Sequence, residues 1–344
     1  MTVSPADQSG WMPQRHSALA AALWTSLVVL SLGGLVLGSK SVPWITVVEA
    51  LRAFDATTPD HLLVVHLRLP RLLMGLLVGA ALGAAGLLIQ AVTRNSLADP
   101  GILGVNAGAS LAMVVSLAVF GQQAMGIQIA VAMFGAFLAG LVVLALAGAG
   151  TVRTSPTRIV LAGVAVSAIC LSFSQLVMLN SIDQVFDHYR SWVVGALEGR
   201  DLGVLQTTLP FVLAGLALAV YVAKHLDALS LGQDFGKALG VHRQRILGLS
   251  LLAIVLLAGA STAAVGPIAF LGLIAPHLAR TLVGPNHSLL LRWSMLLGMV
   301  TMLLADVGGR VLAPPADLGA GLMIALIGGP FFIVLARRDR LTDL

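Results

Sequence analysis

Apolar runs of about twenty residues, each long enough to cross a bilayer as a helix, follow one another along almost the whole chain and leave little room for another fold. They begin at Ser17 and near Leu72, Gly101, Gly126, Ile159, Leu205, Ile246, Ile268, Trp293 and Leu318. Inside a bilayer the backbone has no water to bond, so a spanning segment is a helix or a strand of a closed barrel. These runs lack the two-residue alternation of barrel strands, which leaves helices. Charged residues are 10% of the chain, against about 25% in soluble domains. That deficit excludes a water-soluble enzyme, and the apolar excess excludes a disordered chain. The expectation is an all-α integral membrane protein of about ten transmembrane helices, spanning residues 17–338. Residues 1–16 and 339–344 form short tails, and Gly101–Phe120 and Ile268–Gly284 are short enough to be tilted or partly re-entrant.

The first run, Ser17 to Leu37, is too long for a signal-peptide core, and Gly38-Ser39-Lys40 makes a poor cleavage site. It is expected to stay as a span. Lys and Arg in the connections set orientation. With the N-terminus inside, the inner segments hold thirteen basic residues, among them Arg94, Arg153, Arg158, Arg243 and Arg280. The outer segments hold seven: Lys40, Arg52, Arg68, Arg71, Arg190, Arg200 and Arg310. Both termini are therefore expected in the cytoplasm. The net charge of +5 is spread between apolar runs without a basic patch, so no nucleic-acid partner is expected. Spans two to five and seven to ten form two sets of four that enter the bilayer from opposite sides, a frame for an inverted repeat.

The runs hold almost no ionisable residue of the kind that carries a proton or ion relay. His277 and Asp306 come nearest, both toward helix ends, and they lie on different spans. No phosphate-binding loop of the Gly-x-x-x-x-Gly-Lys-Ser/Thr kind is present, so this chain does not bind ATP that way. No catalytic residue, cofactor or metal cluster is expected, and the lone Cys170 lies inside an apolar run. A transporter with neither relay nor ATPase borrows its energy from a partner. Glycines at 75, 79 and 83, beside Ala80 and Ala84, form a small-residue stripe that lets helix backbones approach closely. The expected use is packing within the subunit.

Three connections are more specific. Gln90–Gly101 joins spans two and three, with Asp99 placed to cap and Pro100-Gly101 to break. The segment 225–245 is the longest inner loop, and Ser230–Val241 within it reads as one or two short amphipathic helices. These would dock in a partner's groove or lie on headgroups. Gly266–His277 is one hydrophobic run interrupted by Pro267 and Pro276.

Together these strings resemble the FecCD family, the permease subunits of ABC importers for iron-siderophore, haem and vitamin B12. The resemblance runs from about Lys40 to Arg338. It is carried by Arg68-Leu69-Pro70-Arg71, Thr93–Gly108, Leu161–Ala165, Gly266–Arg280, Leu304-Ala305-Asp306 with Arg310, and Ile327–Phe331. The string Arg94–Gly101 followed by Gly104–Ser110 is most similar to the ferric-enterobactin permeases, although many members have Pro where Ser96 stands.

The resemblance implies a type II ABC importer permease fold of ten helices. It implies a second permease subunit (a paralogue rather than a copy), two ATPase subunits and a periplasmic or lipid-anchored substrate-binding protein. A ferric siderophore is the implied cargo, with haem or cobalamin as alternatives. It also implies site residues. Arg68, Arg71 and Arg310 would receive glutamates of the binding protein; the alternatives are an Arg310–Asp306 pair along the helix and snorkelling of Arg68 and Arg71 to headgroups. Phe235, Lys237, Ala238, Leu239 and Gly240 would contact the ATPase, with Arg243 and Arg245 at the rim. Thr154, Ser155 and Thr157 would narrow an inner gate, the alternative being an ordinary cytoplasmic turn. Two other classes predict features that are scarce here: a secondary carrier needs mid-membrane ionisable groups, and an intramembrane enzyme needs an apposed catalytic pair.

Overall fold

The computed structural model describes residues 8–38, 40–121, 124–148, 155–230, 241–312 and 317–342. Among these residues there are helices and no strand. In chain order the helices are α1 (Gln8–Val36), α2 (Trp44–Arg52), α3 (Pro59–Leu62), α4 (Leu69–Thr93), α5 (Val105–Phe120), α6 (Met125–Leu146) and α7 (Pro156–Leu179). Then come α8 (Asp183–Val193), α9 (Leu202–Ser230), α10 (Arg243–Val265), α11 (Leu271–Val283), α12 (His287–Leu312) and α13 (Ala320–Thr342). Seven helical stretches are long and apolar enough to cross a membrane, and Val105–Phe120, Leu271–Val283 and Ala320–Leu335 are shorter apolar helices.

All ten apolar runs thus reappear as helices. Two of the three short ones are those read as short in the sequence. The third, in α13, was not so read. At the N-terminus α1 reaches back to Gln8, into the stretch expected to be a tail.

A π-helical turn at Leu63–Arg68 joins α3 to α4, so that Pro59–Thr93 forms one helical stretch of 35 residues. Pro70 explains the turn: its ring nitrogen has no hydrogen to give to the preceding turn, and the ladder shifts register there.

Helix α4 is the centre of the bundle. It is buried along most of its length and packs against α12, α10, α11 and α9. Leu87, Leu88 and Ile89 on α4 and Leu251, Ile254 and Leu257 on α10 are fully buried. Helices α5, α6 and α7 pack on one another to one side, joined to the centre through α10, and α1 lies on α12.

The small-residue stripe makes this arrangement possible. A Cβ on Gly79 would strike the backbone of Gly298 and Met299, and one on Gly83 the carbonyl of Ser294, so α4 and α12 touch backbone to backbone. The stripe continues one residue off its four-residue register, to Gly86, whose Cβ would fall on Gly272 of α11. Water does not drive helices together in lipid; close van der Waals packing of this kind does. On the other side of the bundle α7 turns Leu161, Val164, Ile169, Phe173 and Leu176 outward, a surface that only lipid or another apolar helix can cover.

Candidate functional site

At one end of the bundle the C-terminus of α1, the N-terminus of α4 and the C-terminus of α12 come together around buried charges. Asp306 is fully buried on α12. Its Oδ1 accepts from Arg71 Nε at 2.9 Å, and its Oδ2 is paired with Arg310. Arg71 also reaches Asp317 Oδ2 at 2.8 Å, tying down the approach to α13. Arg310 Nε also donates to the Asp306 carbonyl at 3.4 Å, and its Nη1 reaches the end of α1, donating to the Gly34 carbonyl at 2.9 Å and the Leu37 carbonyl at 3.2 Å. Arg68 does the same, donating to the carbonyls of Leu35 at 2.6 Å, Val36 at 2.8 Å and Lys40. The last carbonyls of a helix have no partner within it and carry partial negative charge. Two guanidiniums therefore cap α1 and hold it against α4 and α12.

Arg68, Arg71 and Arg310, which the resemblance offers as receivers of binding-protein glutamates, are here buried among groups of the chain itself. They are 5%, 8% and 5% exposed. The physical reason is the cost of burying a guanidinium unpaired: once the helix packing encloses these side chains, carboxylates and carbonyls of the chain itself must surround them. The i, i+4 pair of Arg310 with Asp306 is present, and snorkelling of Arg68 and Arg71 is not. Asp317, 246 residues from Arg71, was missed in the sequence. It follows two prolines and an alanine outside any periodic pattern, and nothing local signals its partner.

Deeper in the bundle two interrupted segments meet. After α4 the backbone turns left-handed at Arg94 (φ 52°), passes through a 3-10 turn at Pro100–Leu103, and turns left-handed again at Gly104 (φ 72°). After α10 it breaks at Gly266 (φ 86°) and enters α11 through Phe270, also left-handed (φ 65°). Positive φ is unusual for Arg and rarer for a bulky Phe. Such backbone persists where surrounding structure over-determines it. Here the surroundings are close: a Cβ on Gly272 would meet the Pro100 ring and approach Asp99, and one on Gly328 of α13 would meet Phe270. The two breaks hold corresponding places in the two sets of four spans, each leading into a short helix. In transporters, interrupted segments so placed are the best sequence-level pointer to the transport pathway.

Asp99 caps the first break as expected, Oδ1 accepting from Gly101 N at 2.8 Å. Burial pushes its carboxyl up to about 6, against the opposing pull of the Gly101 and Phe270 N–H groups. The folded state therefore favours protonated Asp99 more than the unfolded chain does. Stability from this group is fullest below its ordinary value of 3.8 and declines as pH rises toward about 6. Asp99→Asn keeps an acceptor for Gly101 and removes the titration. Thermal unfolding of the detergent-solubilised protein at pH 5 and pH 8 should show the variant holding at pH 8 what the native chain loses. Equal pH dependence in both proteins would contradict this.

Nearby, Thr262 of α10 donates to Asn106 Oδ1 at 2.7 Å, a cross-link between the two sets that the sequence did not reveal. His277 and Asp306 are not brought together: His277 packs edge-on against Phe331 at 5.6 Å, while Asp306 sits between its arginines.

Of the gate candidates, Ser155 is the N-cap of α7, its Oγ accepting from Arg158 N at 3.3 Å, and Thr157 is exposed in the first turn. Thr154 lies outside the described residues, as do Phe235, Lys237, Ala238, Leu239 and Gly240.

The described residues form an all-α bundle of apolar helices with two interrupted segments, the architecture of a multi-pass membrane permease, and the fold is that of a type II ABC importer permease. The structure matches a solved inward-facing metal-chelate type ABC transporter with a TM-score of 0.79 and 27% identity, covering 94% of this chain and 99% of that one. The chain belongs to the FecCD transport family, whose model matches residues 26–338. Among its relatives, the ferric enterobactin transport system permease protein FepD of Escherichia coli (strain K12) is 42% identical over 96% of this chain and 98% of its own length. The probable siderophore transport system permease protein YfiZ of Bacillus subtilis (strain 168) is 34% identical over 93% and 97%.

Proposed function

We propose that this chain is the membrane permease subunit of an ABC importer that carries a ferric siderophore of the enterobactin kind across a bacterial inner membrane. The observation that carries this reading is the end-to-end correspondence with a ferric enterobactin permease, 42% identical over 96% of the chain. In this reading a second permease subunit, a paralogue, packs beside it. Two ATPase subunits attach on the cytoplasmic side and hydrolyse ATP, the permease itself being no enzyme. A periplasmic or lipid-anchored binding protein delivers the chelate, and both termini are cytoplasmic. Haem and cobalamin are the alternatives for cargo.

The segment 225–245 is the ATPase contact in this account, with Phe235, Ala238, Leu239 and Gly240 facing the partner and Lys237 at the edge. Thr154, Ser155 and Thr157 border the inner gate, where Ser155 also fixes the start of α7. Docking of the binding protein falls on the end of the bundle that holds Arg68, Arg71 and Arg310. Because those three are buried, they shape the docking face from beneath. Exposed Arg52 at the end of α2 and Arg190 on α8 supply the basic groups that acidic side chains of the binding protein can reach. Such rim charges act through encounter rate and are screened by salt.

The test is uptake of radiolabelled iron by cells lacking the native system and expressing this chain with its neighbouring subunits. Ferric catecholate chelates should be accumulated, and ferric citrate, ferric hydroxamates, haem and cobalamin should not. Accumulation of haem or cobalamin in place of the ferric chelates would overturn the cargo assignment.

A further inference from the structure

The end of the bundle opposite the Asp306 cluster carries a cavity of about 690 Å³. It forms where α4, α9 and α11 end and where α10 and α12 begin, so five helix termini surround it. Arg94, Arg243 and Arg280 line it, together with the apolar side chains of Leu226, Leu229 and Leu247. Among the described residues none of the three arginines is paired with a carboxylate, and Arg280 Nε is buried without a hydrogen-bond partner. Asp227, next in sequence to the lining Leu226, is committed elsewhere. Asp227 accepts from the His287 and Ser288 backbone N–H groups at 2.6 and 3.0 Å, and its Oδ1 lies 3.1 Å from His287 Nδ1. Three cations thus face one space, and no carboxylate is among the described residues that line it.

The other arginine cluster shows what this fold does with enclosed guanidiniums: Arg68 bonds to carbonyls, and Arg71 and Arg310 to carboxylates, all within the chain. The inner cluster is left open, and at a particular depth. Helix termini of spanning segments lie at the level of the lipid headgroups. Basic pockets between transmembrane helices on the cytoplasmic side are suited to anionic headgroups, and a guanidinium matches phosphate oxygens in bidentate fashion. The leucines beside the arginines would meet the start of an acyl chain.

We propose that this cavity is a binding site for the phosphate headgroup of an anionic phospholipid, with the two-phosphate headgroup of cardiolipin as its best occupant. Three guanidiniums exceed the charge of a single phosphodiester by two and that of a two-phosphate headgroup by only one. The inference rests on the membrane reading and its orientation and is independent of the cargo. Failure of iron uptake and failure of lipid binding are therefore separate results.

The test is native mass spectrometry of the full chain, purified with its accompanying subunits, delipidated and then titrated with cardiolipin, phosphatidylglycerol or phosphatidylcholine. Cardiolipin adducts should survive activation that strips phosphatidylcholine. The double variant Arg94→Gln/Arg280→Gln, both outside the 225–245 segment, should lower the cardiolipin-bound fraction roughly tenfold, while Arg52→Gln/Arg190→Gln, at the other end of the bundle, should leave it unchanged. If the inner variant does not elute as a monodisperse species, the lipid comparison on the native protein decides alone. Equal retention of cardiolipin and phosphatidylcholine would overturn the proposal, as would a preference untouched by the inner variant. Displacement of cardiolipin by millimolar inorganic phosphate would assign the site to a free anion instead. Loss of ATPase association by the inner variant in lipid-free detergent would assign it to an acidic surface of that partner.

Discussion

Asp306→Ala is expected to destabilise the protein by about 3–5 kcal/mol, the usual cost of removing one member of a buried ion pair. The carboxylate is fully buried and serves two guanidiniums at once, Arg71 and Arg310. Alanine leaves both enclosed with one anion, Asp317, between them, and Asp317 reaches Arg71 alone. Arg310 would then rely on the α1 carbonyls, so α1 and α4 should both loosen from α12. Thermal unfolding of the purified protein in detergent should show a large drop in midpoint, or the chain should fail to accumulate in the membrane. Asp306→Asn retains an acceptor but removes the charge, and should fall between alanine and the native residue. Asp317→Ala, which breaks one partly exposed contact, should cost clearly less. A midpoint for Asp306→Ala within a degree or two of the native protein would mean that the cluster contributes little to holding these helices.

Gly86→Val is the second large effect. No rotamer choice relieves it, because the added Cβ itself would lie on the backbone of Gly272. Overpacking a core commonly costs about 1–3 kcal/mol when side chains can shift, and here the obstruction is main chain on both sides. The helices must separate, which disturbs the entry to α11 and with it the contact between Gly272 and Pro100. Transport should be lost together with folding. A control is Gly126→Val, where a side chain would meet nothing within 4 Å; it should retain normal expression and uptake. Comparable expression of the two variants would contradict the packing described.

What was legible in advance follows from locality. Apolar runs are long and continuous, so each of the ten reappears as an apolar helix, seven of them long enough to cross a membrane, and the 75, 79, 83 stripe announced a close helix contact. The partner of that stripe was not legible, because Gly298 and Ser294 lie more than two hundred residues away. The same contrast holds for charge. Arg310 and Asp306 are four apart on one helix, and their pairing was available from spacing alone. Arg71 pairs with Asp306 and Asp317 across the bundle, and spacing says nothing of that. Without those partners, arginines on outer connections read as exposed recognition groups, whereas packing encloses them. The left-handed Phe270 was invisible for a related reason: nothing in its immediate sequence demands positive φ, and the constraint comes from packing beside Gly328 on α13.

The central claim is that this chain forms the membrane path of an ATP-driven importer. Its most direct test is to reconstitute the chain into liposomes with its partner permease and ATPase, add binding protein loaded with radiolabelled ferric enterobactin outside, and enclose ATP inside. The account predicts accumulation of label that requires ATP and the binding protein together, persists when proton and sodium gradients are collapsed, and is absent from liposomes without this chain. Uptake that proceeds without ATP and stops on collapsing an ion gradient would contradict it.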